Sequence, residues 1–316
     1  MSKILLTGVT GFVGRALVNE MLRLELTVVA AVRSLSADLP GDVRQHVVGD
    51  FLLNTEWLSA LNDIDVVIHT AARVHIMNDQ VTDPLSEFRK VNVAGTLNLA
   101  RQAAEAGVTR FIFISSIKVN GEMTNEGFPF RPDDNINVTD PYALSKYEAE
   151  QGLLALAKNT SMEVVIIRPP LIYGPGVKAN FLTMMGWVKK GVPLPFAAIH
   201  NKKSFIAIDN LVSFIIHCVD HPKAANEIFL ISDGEDVSTA ELLRKIAKAF
   251  DKKAILLPIP VSLMKVVAKG LGKEDVANRL FGSLQVDSSK ARDLLGWEPV
   301  VTMDEQLKKM AKAGLK

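Results

Sequence analysis

A tyrosine and a lysine one helical turn apart are the residues of this sequence best suited to proton chemistry. The segment "PYALSKYEAE" places Tyr142 four residues before Lys146, in a chain with only three tyrosines. Residues at i and i+4 project from the same face of an α-helix, so both side chains can serve one site. A free phenol has a pKa of about 10, and a nearby ammonium lowers it by favouring the phenolate. The pair therefore predicts a general acid and base acting on a carbonyl or an alcohol.

A hydroxyl that could bind the reacting oxygen lies at the end of a predicted strand, "RFIFISS". Open parallel sheets place their ligands at the carboxyl ends of strands, which is where Ser115 and Ser116 lie. A hydrogen bond from either hydroxyl would orient the oxygen that Tyr142 protonates or deprotonates. The position in the chain alone leaves both serines open.

These residues require a scaffold, and the sequence predicts an α/β fold. Short β-branched runs alternate with stretches of helical length, which is typical of βαβ units around a parallel sheet. The predicted strands are "KILLTG", "TVVAAVR", "QHVVGD", "DVVIHTA", "RFIFISS" and "EVVIIRP". The predicted helices between them cover residues 14–24, 55–61, 85–106 and 142–159. This is the pattern of a Rossmann-type, doubly wound parallel sheet.

Proline and glycine become frequent after residue 172, as in "YGPG" and "GVPLP", and the regular alternation ends. We therefore expect a dinucleotide-binding domain over residues 1–172 and a smaller α/β substrate lobe over 173–316. Residues near 204–220 are expected to pack back on the first domain. Later strands are predicted at "SFIAI" and "EIFLIS", and later helices at 209–219, 238–249 and 303–313.

A glycine-rich loop follows the first predicted strand and leads directly into a helix. The stretch "GVTGFVG" contains Gly8, Gly11 and Gly14, with Phe12 and Val13 between the last two. N–H groups at a helix N-terminus bind phosphate, and a side chain at Gly8 or Gly11 would obstruct the approach of a pyrophosphate. We expect all five residues to contact a dinucleotide.

The end of the second predicted strand indicates which dinucleotide binds. Folds that prefer NAD carry an acid there for the ribose 2′-hydroxyl, whereas this chain reads "AAVRS". Arg33 supplies a cation suited to a 2′-phosphate. The sequence therefore predicts NADP(H) as the preferred cofactor, with NAD(H) as the alternative.

Composition excludes several other classes of partner. The formal net charge is +1, with 36 basic and 35 acidic residues, so we expect no nucleic-acid binding. No apolar run is long enough for a membrane helix, and we expect no membrane insertion. Cys218 is the single cysteine, which excludes an intramolecular disulfide and fits the cytoplasm. His69 and His75 lack neighbours at metal-ligand spacing, so no metal site is predicted.

Taken together, the motifs resemble the extended short-chain dehydrogenase/reductase family, in its NAD(P)-dependent nucleotide-sugar epimerase/dehydratase branch. They span nearly the whole chain: "TGVTGFVG", "GDF", "HTAA", "VNVAGT", "ISS", "YALSK" and "RPPLIYGPG". The resemblance implies that Ser116, Tyr142 and Lys146 are catalytic, since the family's hydroxyl lies five residues before the glycine found here as Gly121. It also implies a set of cofactor contacts in which Tyr142 and Lys146 take part. The others are Asp50 and Phe51 beside the adenine, Ala71 and Ala72 along the cofactor, and Asn92 in the active-site region.

The C-terminal segments "KKSFIAIDNLV" and "VDSSKARDLLGWEP" resemble enzymes that act on nucleotide sugars. The resemblance implies a UDP-sugar substrate whose diphosphate contacts Asn180, with Lys203 or Arg279 as a cationic partner. Ser116 and Lys118 would lie close to the sugar. It further implies a homodimer formed through the helices predicted at 85–106 and 142–159.

Two departures from the family pattern bear on the reaction. Asn120 replaces a tyrosine that epimerases commonly carry, and Ile117 with Lys118 replaces the Asp-Glu pair of dehydratases. Our leading hypothesis is an NADPH-dependent 4-ketoreductase acting on a UDP-4-keto-6-deoxy-N-acetylhexosamine for surface-polysaccharide synthesis. The alternative is a UDP-glucose or UDP-N-acetylglucosamine 4-epimerase, and the second alternative is a non-catalytic NADP-binding regulatory protein.

Overall fold

A parallel β-sheet of seven strands forms the centre of the protein. The computed structural model describes residues 2–74, 83–125, 127–177 and 180–314. Strands run in the order β3-β2-β1-β4-β5-β6-β9, and β7 and β8 form a separate parallel pair. The strands are β1 (Ile4–Thr7), β2 (Val28–Val32), β3 (Arg44–Val47), β4 (Val66–His69), β5 (Arg110–Ile114), β6 (Glu163–Arg168), β7 (Leu171–Tyr173), β8 (Phe205–Ala207) and β9 (Ile228–Leu230). The predicted doubly wound α/β fold is confirmed, and the strand order reverses between β1 and β4.

Both faces of the sheet are buried along its inner strands, which explains their continuous apolar runs, whereas the edge strand β3 is partly exposed and more polar. Ile4 and Leu6 of β1 pack into an apolar cluster with residues of the helix at Ile208–Asp220 on one face, whereas Leu5 packs into a second cluster on the other face. This alternation is the period of two that a strand imposes on its side chains. A third cluster joins β7 and β8 to the helices of the C-terminal part.

Eleven α-helices are assigned within the described ranges. They are α1 (Phe12–Arg23), α2 (Pro84–Phe88), α3 (Thr96–Glu105), α4 (Pro141–Asn159), α5 (Asn180–Lys189), α6 (Ile208–Asp220), α7 (Thr239–Ala249), α8 (Val261–Gly270), α9 (Glu274–Phe281), α10 (Ser289–Leu295) and α11 (Met303–Ala313). A π-helical segment, Arg89–Gly95, connects α2 to α3. Among the described residues no helix combines the length and apolarity needed to cross a bilayer.

The helix predicted at 55–61 is wrong, because side chains of α3 bind the backbone there. The Thr55 carbonyl accepts hydrogen bonds from Asn98 Nδ2 at 2.8 Å and from Gln102 Nε2 at 2.9 Å. Gln102 Oε1 in turn accepts a hydrogen bond from the Trp57 N–H at 2.8 Å. These tertiary contacts hold the segment in turns.

The C-terminal half contributes to the central sheet and to its core. β9 pairs with β6, and α6 packs against α1 over an apolar cluster that also contains β1 residues. The residues near 204–220 therefore lie against the nucleotide-binding half. The boundary between two domains at residue 172 stays a prediction.

Candidate active site

The glycine loop between β1 and α1 is shaped first by its own packing. Gly8 has φ +71°, and a Cβ there would lie 2.4 Å from Thr70 Oγ1 and 2.7 Å from the Ala71 nitrogen. A Cβ at Gly14 would lie 2.1 Å from the Gly8 carbonyl oxygen. Gly8 is thus needed for its backbone conformation and for close contact with the chain after β4, and its contact with a dinucleotide stays a prediction. At Gly11 an added Cβ would lie 3.1 Å from the Gly8 oxygen and, within the described ranges, close to no other group.

The start of α1 fits the diphosphate of a dinucleotide. Gly11 is its N-cap and provides no side-chain hydrogen bond, and the first turn contains no acidic residue. The first N–H groups of a helix have no acceptor within the helix, and the helix dipole makes this end positive. Phe12 and Val13, both half-buried, belong to this turn. A Cβ at Gly176 would lie 4.0 Å from the Phe12 ring, so the "YGPG" segment lies next to the helix start.

The predicted adenosine contacts lie at the ends of β2 and β3, beside the glycine loop. Arg33 is exposed directly after β2 and has no ion pair with any residue that the structure describes. Asp50 is exposed, whereas Phe51 is half-buried with its ring centroid 5.1 Å from that of Trp57. The Phe51 carbonyl oxygen would lie 2.4 Å from a Cβ at Gly95, so glycine is required for this approach.

The two candidate serines at the end of β5 lie in different surroundings. Ser115 is buried, and its Oγ has no hydrogen-bond partner within the described part of the chain. Ser116 is half-buried and caps a short 3-10 helix, Ile117–Val119, where its Oγ accepts a hydrogen bond from the Lys118 N–H at 3.2 Å. Ser116 is the more accessible of the two, and its catalytic role stays a prediction.

Helix α4 brings Tyr142 and Lys146 to the end of β5. Asp140 accepts a hydrogen bond from the Ala143 N–H at 2.8 Å and begins the helix, so Tyr142 lies in its first turn. Lys146 is only 2% exposed, and its Nζ donates a hydrogen bond of 2.8 Å to the Ile114 carbonyl, two residues before Ser116. Its Nζ also lies 4.4 Å from the centre of the Phe113 ring.

An ion pair also joins the segment after β5 to the start of α4. Lys118 Nζ lies 3.5 Å from Asp140 Oδ2, which links the residue two places after Ser116 to the residue two places before Tyr142. The structure thus brings the segments of all three predicted catalytic residues together. Lys118 also binds Glu122 at 3.1 Å, so its charge is already balanced by two carboxylates.

Burial favours the neutral forms of both Tyr142 and Lys146. It raises the pKa of Tyr142 to about 12, with a further contribution from the Asp140 charge. It lowers the pKa of Lys146 to about 7, an effect that the Glu150 charge partly opposes. The lysine therefore changes charge close to neutral pH, in a site where an ammonium would favour the phenolate. The charges around Tyr142 and Lys146 therefore determine the protonation state of each group.

Asn92 connects the chain after β4 to the helix that carries the tyrosine. Its Oδ1 accepts a hydrogen bond of 2.8 Å from the Arg73 N–H, and its Nδ2 donates to the Arg73 carbonyl at 3.0 Å. Nδ2 also donates to Ser145 Oγ at 3.0 Å, and that hydroxyl donates to the Tyr142 carbonyl at 2.7 Å. Asn92 lies in the π-helical segment, a type of distortion frequent at functional sites. Ala71 and Ala72, both half-buried, lie just before Arg73.

His69 is a neutral, structural residue. Thr7 Oγ1 lies 2.8 Å from its Nδ1 and Thr96 Oγ1 lies 3.0 Å from its Nε2, and burial lowers its pKa to about 3. Among the described residues no group of three or more His, Cys, Asp or Glu side chains could hold a metal ion. His75, the other histidine considered from the sequence, lies outside the described residues.

The predicted diphosphate contacts lie in the C-terminal half. Lys203 is half-buried, burial lowers its pKa to about 8, and it has no carboxylate partner within the described ranges. Its Nζ donates a hydrogen bond to the Arg279 carbonyl, so the two residues lie close together. Arg279 itself is exposed. Asn180 begins α5, and its side chain lies outside the described part of the structure.

Three residues with a place in this site were not predicted. Ser145 connects Asn92 to Tyr142, and Glu150 lies one helical turn beyond Lys146 on α4. Arg168 ends β6 and forms a buried ion pair with Glu150. The i+4 spacing from Lys146 was the one available signal for Glu150, since the pairing with Arg168 depends on tertiary structure.

Known proteins are similar to this chain over nearly its whole length. The chain is 52% identical over 315 residues to the UDP-glucose 4-epimerase of Vibrio cholerae, which covers 99% of this chain and 95% of that protein. The UDP-glucose 4-epimerase of Thermotoga maritima shares the fold with a TM-score of 0.77 at 22% identity, over 98% of each chain. The UDP-N-acetylglucosamine 4-epimerase of Bacillus cereus has a TM-score of 0.75 at 21% identity, over 98% of this chain and 95% of that one.

The family assignment follows from the matched residues as well as from the relatives. A family model matches residues 4–232, and this range contains the glycine loop, the serine at the end of β5 and the Tyr142 to Lys146 turn. The range ends directly after β9, the last strand of the central sheet. The resemblance found in the sequence is confirmed: the chain belongs to the NAD dependent epimerase/dehydratase family.

Proposed function

We propose that this protein is a UDP-sugar 4-epimerase that interconverts UDP-glucose and UDP-galactose. The observation that carries the proposal is the 52% identity, over almost the whole of both chains, to the UDP-glucose 4-epimerase of Vibrio cholerae. The segments of Ser116, Tyr142 and Lys146, which lie together at the end of β5, support it.

This proposal replaces the leading hypothesis from the sequence, a 4-ketoreductase, which no comparison supports specifically. That hypothesis relied in part on Asn120 in place of a tyrosine. In the structure Asn120 Nδ2 donates to the Arg131 carbonyl at 2.7 Å, and its Oδ1 accepts from Arg168 Nη1 at 3.0 Å. Both ends of the amide are occupied by the protein, so this substitution does not distinguish a reductase from an epimerase.

The side chains have separate tasks in the proposed reaction. Tyr142 accepts the proton of the C4 hydroxyl as the hydride leaves C4, and it returns a proton to the same oxygen when the hydride comes back to the opposite face. The bound nicotinamide supplies the reversible hydride acceptor. Ser116 donates a hydrogen bond that orients the C4 oxygen. The Lys146 ammonium favours the Tyr142 phenolate.

Substrate binding is assigned to cations of the C-terminal half. Lys203 is a half-buried amine without a carboxylate partner among the described residues, which suits a diphosphate. Arg279 and Asn180 are further contacts in this proposal. Lys118 is assigned to the sugar end, where its ion pair with Asp140 places it beside the first turn of α4.

Cofactor preference and assembly complete the proposal. The exposed guanidinium of Arg33, which has no ion pair among the described residues, supports a preference for NADP(H) over NAD(H) through a contact with the 2′-phosphate. The packed helices α3 and α4 are assigned to a homodimer interface, as the resemblance implies. A cytoplasmic location remains a prediction.

The test is to incubate purified protein with UDP-glucose, without added cofactor, and to follow UDP-galactose by proton NMR. We expect an equilibrium mixture of the two sugars. Oxidation of added NADPH by a UDP-4-keto-6-deoxyhexosamine, without this interconversion, would instead identify the reductase. Binding of NADP(H) without turnover of either sugar would identify a regulatory protein.

A further inference from the structure

A fully buried ion pair lies directly behind the proposed catalytic residues. Arg168 and Glu150 are 2% and 0% exposed, and they form a two-point contact with Nε to Oε1 at 3.0 Å and Nη2 to Oε2 at 2.6 Å. Apolar side chains of similar volume often match or exceed the stability that such a pair provides, because removing two charges from water is unfavourable. Stability alone is therefore a poor explanation for this pair.

Asn120 extends the pair toward the serine. Arg168 Nη1 donates to Asn120 Oδ1 at 3.0 Å, and Asn120 Nδ2 donates to the Arg131 carbonyl at 2.7 Å. Asn120 ends the short helix that Ser116 begins, while Glu150 lies on α4 one turn beyond Lys146. We refer to Glu150, Arg168 and Asn120 as the Glu150 cluster. It connects the segment after β5, helix α4 and the end of β6.

We propose that the Glu150 cluster is a positioning element of the active site, which holds the Ser116 segment against the helix of Tyr142 and Lys146 and places a carboxylate one turn from the Lys146 amine. The inference rests on the proposed C4 chemistry, in which these three groups act on one oxygen. Ser116, Tyr142 and Lys146 must act on the same substrate oxygen. The distance between the Ser116 segment and helix α4 therefore determines whether the site can catalyse the reaction.

The electrostatic part of this role concerns Lys146. The titratable groups whose charges couple to Lys146 are Glu150 on its own helix and His69 on β4, while Arg168 on β6 lies behind Glu150. Tyr142 precedes Lys146 by one helical turn. His69 stays neutral, and within the described part of the chain Glu150 supplies the negative charge that supports the ammonium form. Removal of this charge lowers the pKa of Lys146, and the ammonium is then lost at a lower pH.

The test compares Glu150→Gln with a matched control. In Glu150→Gln we expect kcat to fall by about tenfold or more with KM for UDP-glucose unchanged, because the substitution alters the reacting groups and leaves the substrate lobe intact. The alkaline limb of the kcat profile should move to lower pH by about one unit, given the interaction of charges one helical turn apart. Glu150→Asp, which keeps the charge, should restore that limb.

The control is Glu163→Gln, which breaks another pair of a buried arginine with a glutamate. Arg110 and Glu163 begin β5 and β6, at the opposite end of the sheet from the catalytic residues, with Nη2 to Oε2 at 2.6 Å. We expect kcat and the pH profile of Glu163→Gln to match those of the wild type. Equal behaviour of Glu150→Gln and Glu163→Gln would overturn the inference.

A second measurement keeps the inference independent of the substrate. The titration of Lys146 is followed by ¹³Cε NMR of cofactor-free, lysine-labelled protein, with the resonance assigned through Lys146→Met. The midpoint of the Lys146 titration should be lower in Glu150→Gln than in the wild type. The double variant Glu150→Gln with Arg168→Gln, which removes both charges of the pair, should also show a lower midpoint and replaces the single variant if that does not fold. An unchanged midpoint contradicts the inference, whereas a wild type inactive on UDP-glucose with a shifted midpoint contradicts the proposed function alone.

Discussion

At the scale of single residues, the surroundings of Lys146 determine what the site can do. Its amine is buried against an aromatic ring and a backbone carbonyl, and no carboxylate forms an ion pair with it among the described residues. Burial therefore lowers the pKa of Lys146 to about 7 and raises the pKa of Tyr142 to about 12. Because both groups are buried, charges brought into the site change the pKa of each one more than they would at an exposed position.

Removal of the Tyr142 hydroxyl should abolish most of the turnover. In Tyr142→Phe we expect kcat to fall by about 10²-fold to 10⁴-fold, the contribution of general acid and base catalysis. Cofactor affinity and the melting temperature should remain near the wild-type values, because the ring contact with Phe88 is kept. Tyr147→Phe on the same helix is the control and should retain activity. Near wild-type turnover in Tyr142→Phe would refute its assigned role.

Cofactor preference can be tested at Arg33. In Arg33→Ala the dissociation constant for NADPH should rise by about tenfold or more, as expected for the loss of a charge-assisted hydrogen bond, while that for NADH should hardly change. Both constants can be measured by fluorescence titration. Arg23→Ala, at the far end of α1, is the control for a general change in surface charge. Equal losses for both cofactors would show that Arg33 does not contact a 2′-phosphate.

At the scale of elements, the sequence predicts those parts of the fold that depend on local pattern. Five of the six N-terminal strands have continuous apolar runs and helix α4 has a clear cap, and all six strands and the helix are found. The helix prediction at 55–61 is wrong because Asn98 and Gln102, which lie on α3, bind the backbone of that segment. Glu150 and Arg168 are 18 residues apart, and their contact arises from the packing of α4 on β6, which no sequence period encodes.

The same reasoning applies to the site. Tyr142, Lys146 and the glycine loop could be predicted because helix spacing and a strand-loop-helix order identify them. Ser145 and Asn120 could not, since each acts through hydrogen bonds to backbone groups that are distant in the chain or hidden within a turn. The packing reason for Gly8 could not be predicted either, because the neighbour that excludes a side chain there is Thr70, which lies 62 residues further along the chain.

The glycine loop provides a prediction at this scale. Gly14→Ala forces a Cβ to within 2.1 Å of the Gly8 oxygen, so the free energy of unfolding should fall by about 2 kcal/mol or more, as in other overpacked sites. Gly11→Ala meets one oxygen at 3.1 Å and should unfold near the wild-type midpoint, but bind the cofactor more weakly. Urea unfolding and cofactor titration distinguish the two effects. Equal stability of both variants would contradict the packing described for α1.

At the scale of the whole molecule, the C-terminal half is built onto the nucleotide-binding sheet. β9 extends that sheet beyond β6, and Asn210 of α6 accepts hydrogen bonds from the Val300 and Val301 N–H groups near the C-terminus. Gly176 lies beside Phe12 at the start of α1. The parts assigned to substrate and to cofactor therefore pack against each other, which suits a reaction in which hydride moves between two bound molecules.

The most direct test of the central claim is the fate of the hydride at C4. The protein is incubated with UDP-glucose that carries deuterium at C4, without added cofactor, and the UDP-galactose formed is examined by mass spectrometry and NMR. An epimerase returns the hydride that it removed, so we predict product with deuterium fully retained at C4. Loss of the label, or a requirement for NADPH consumed in proportion to product, would contradict the proposed epimerisation.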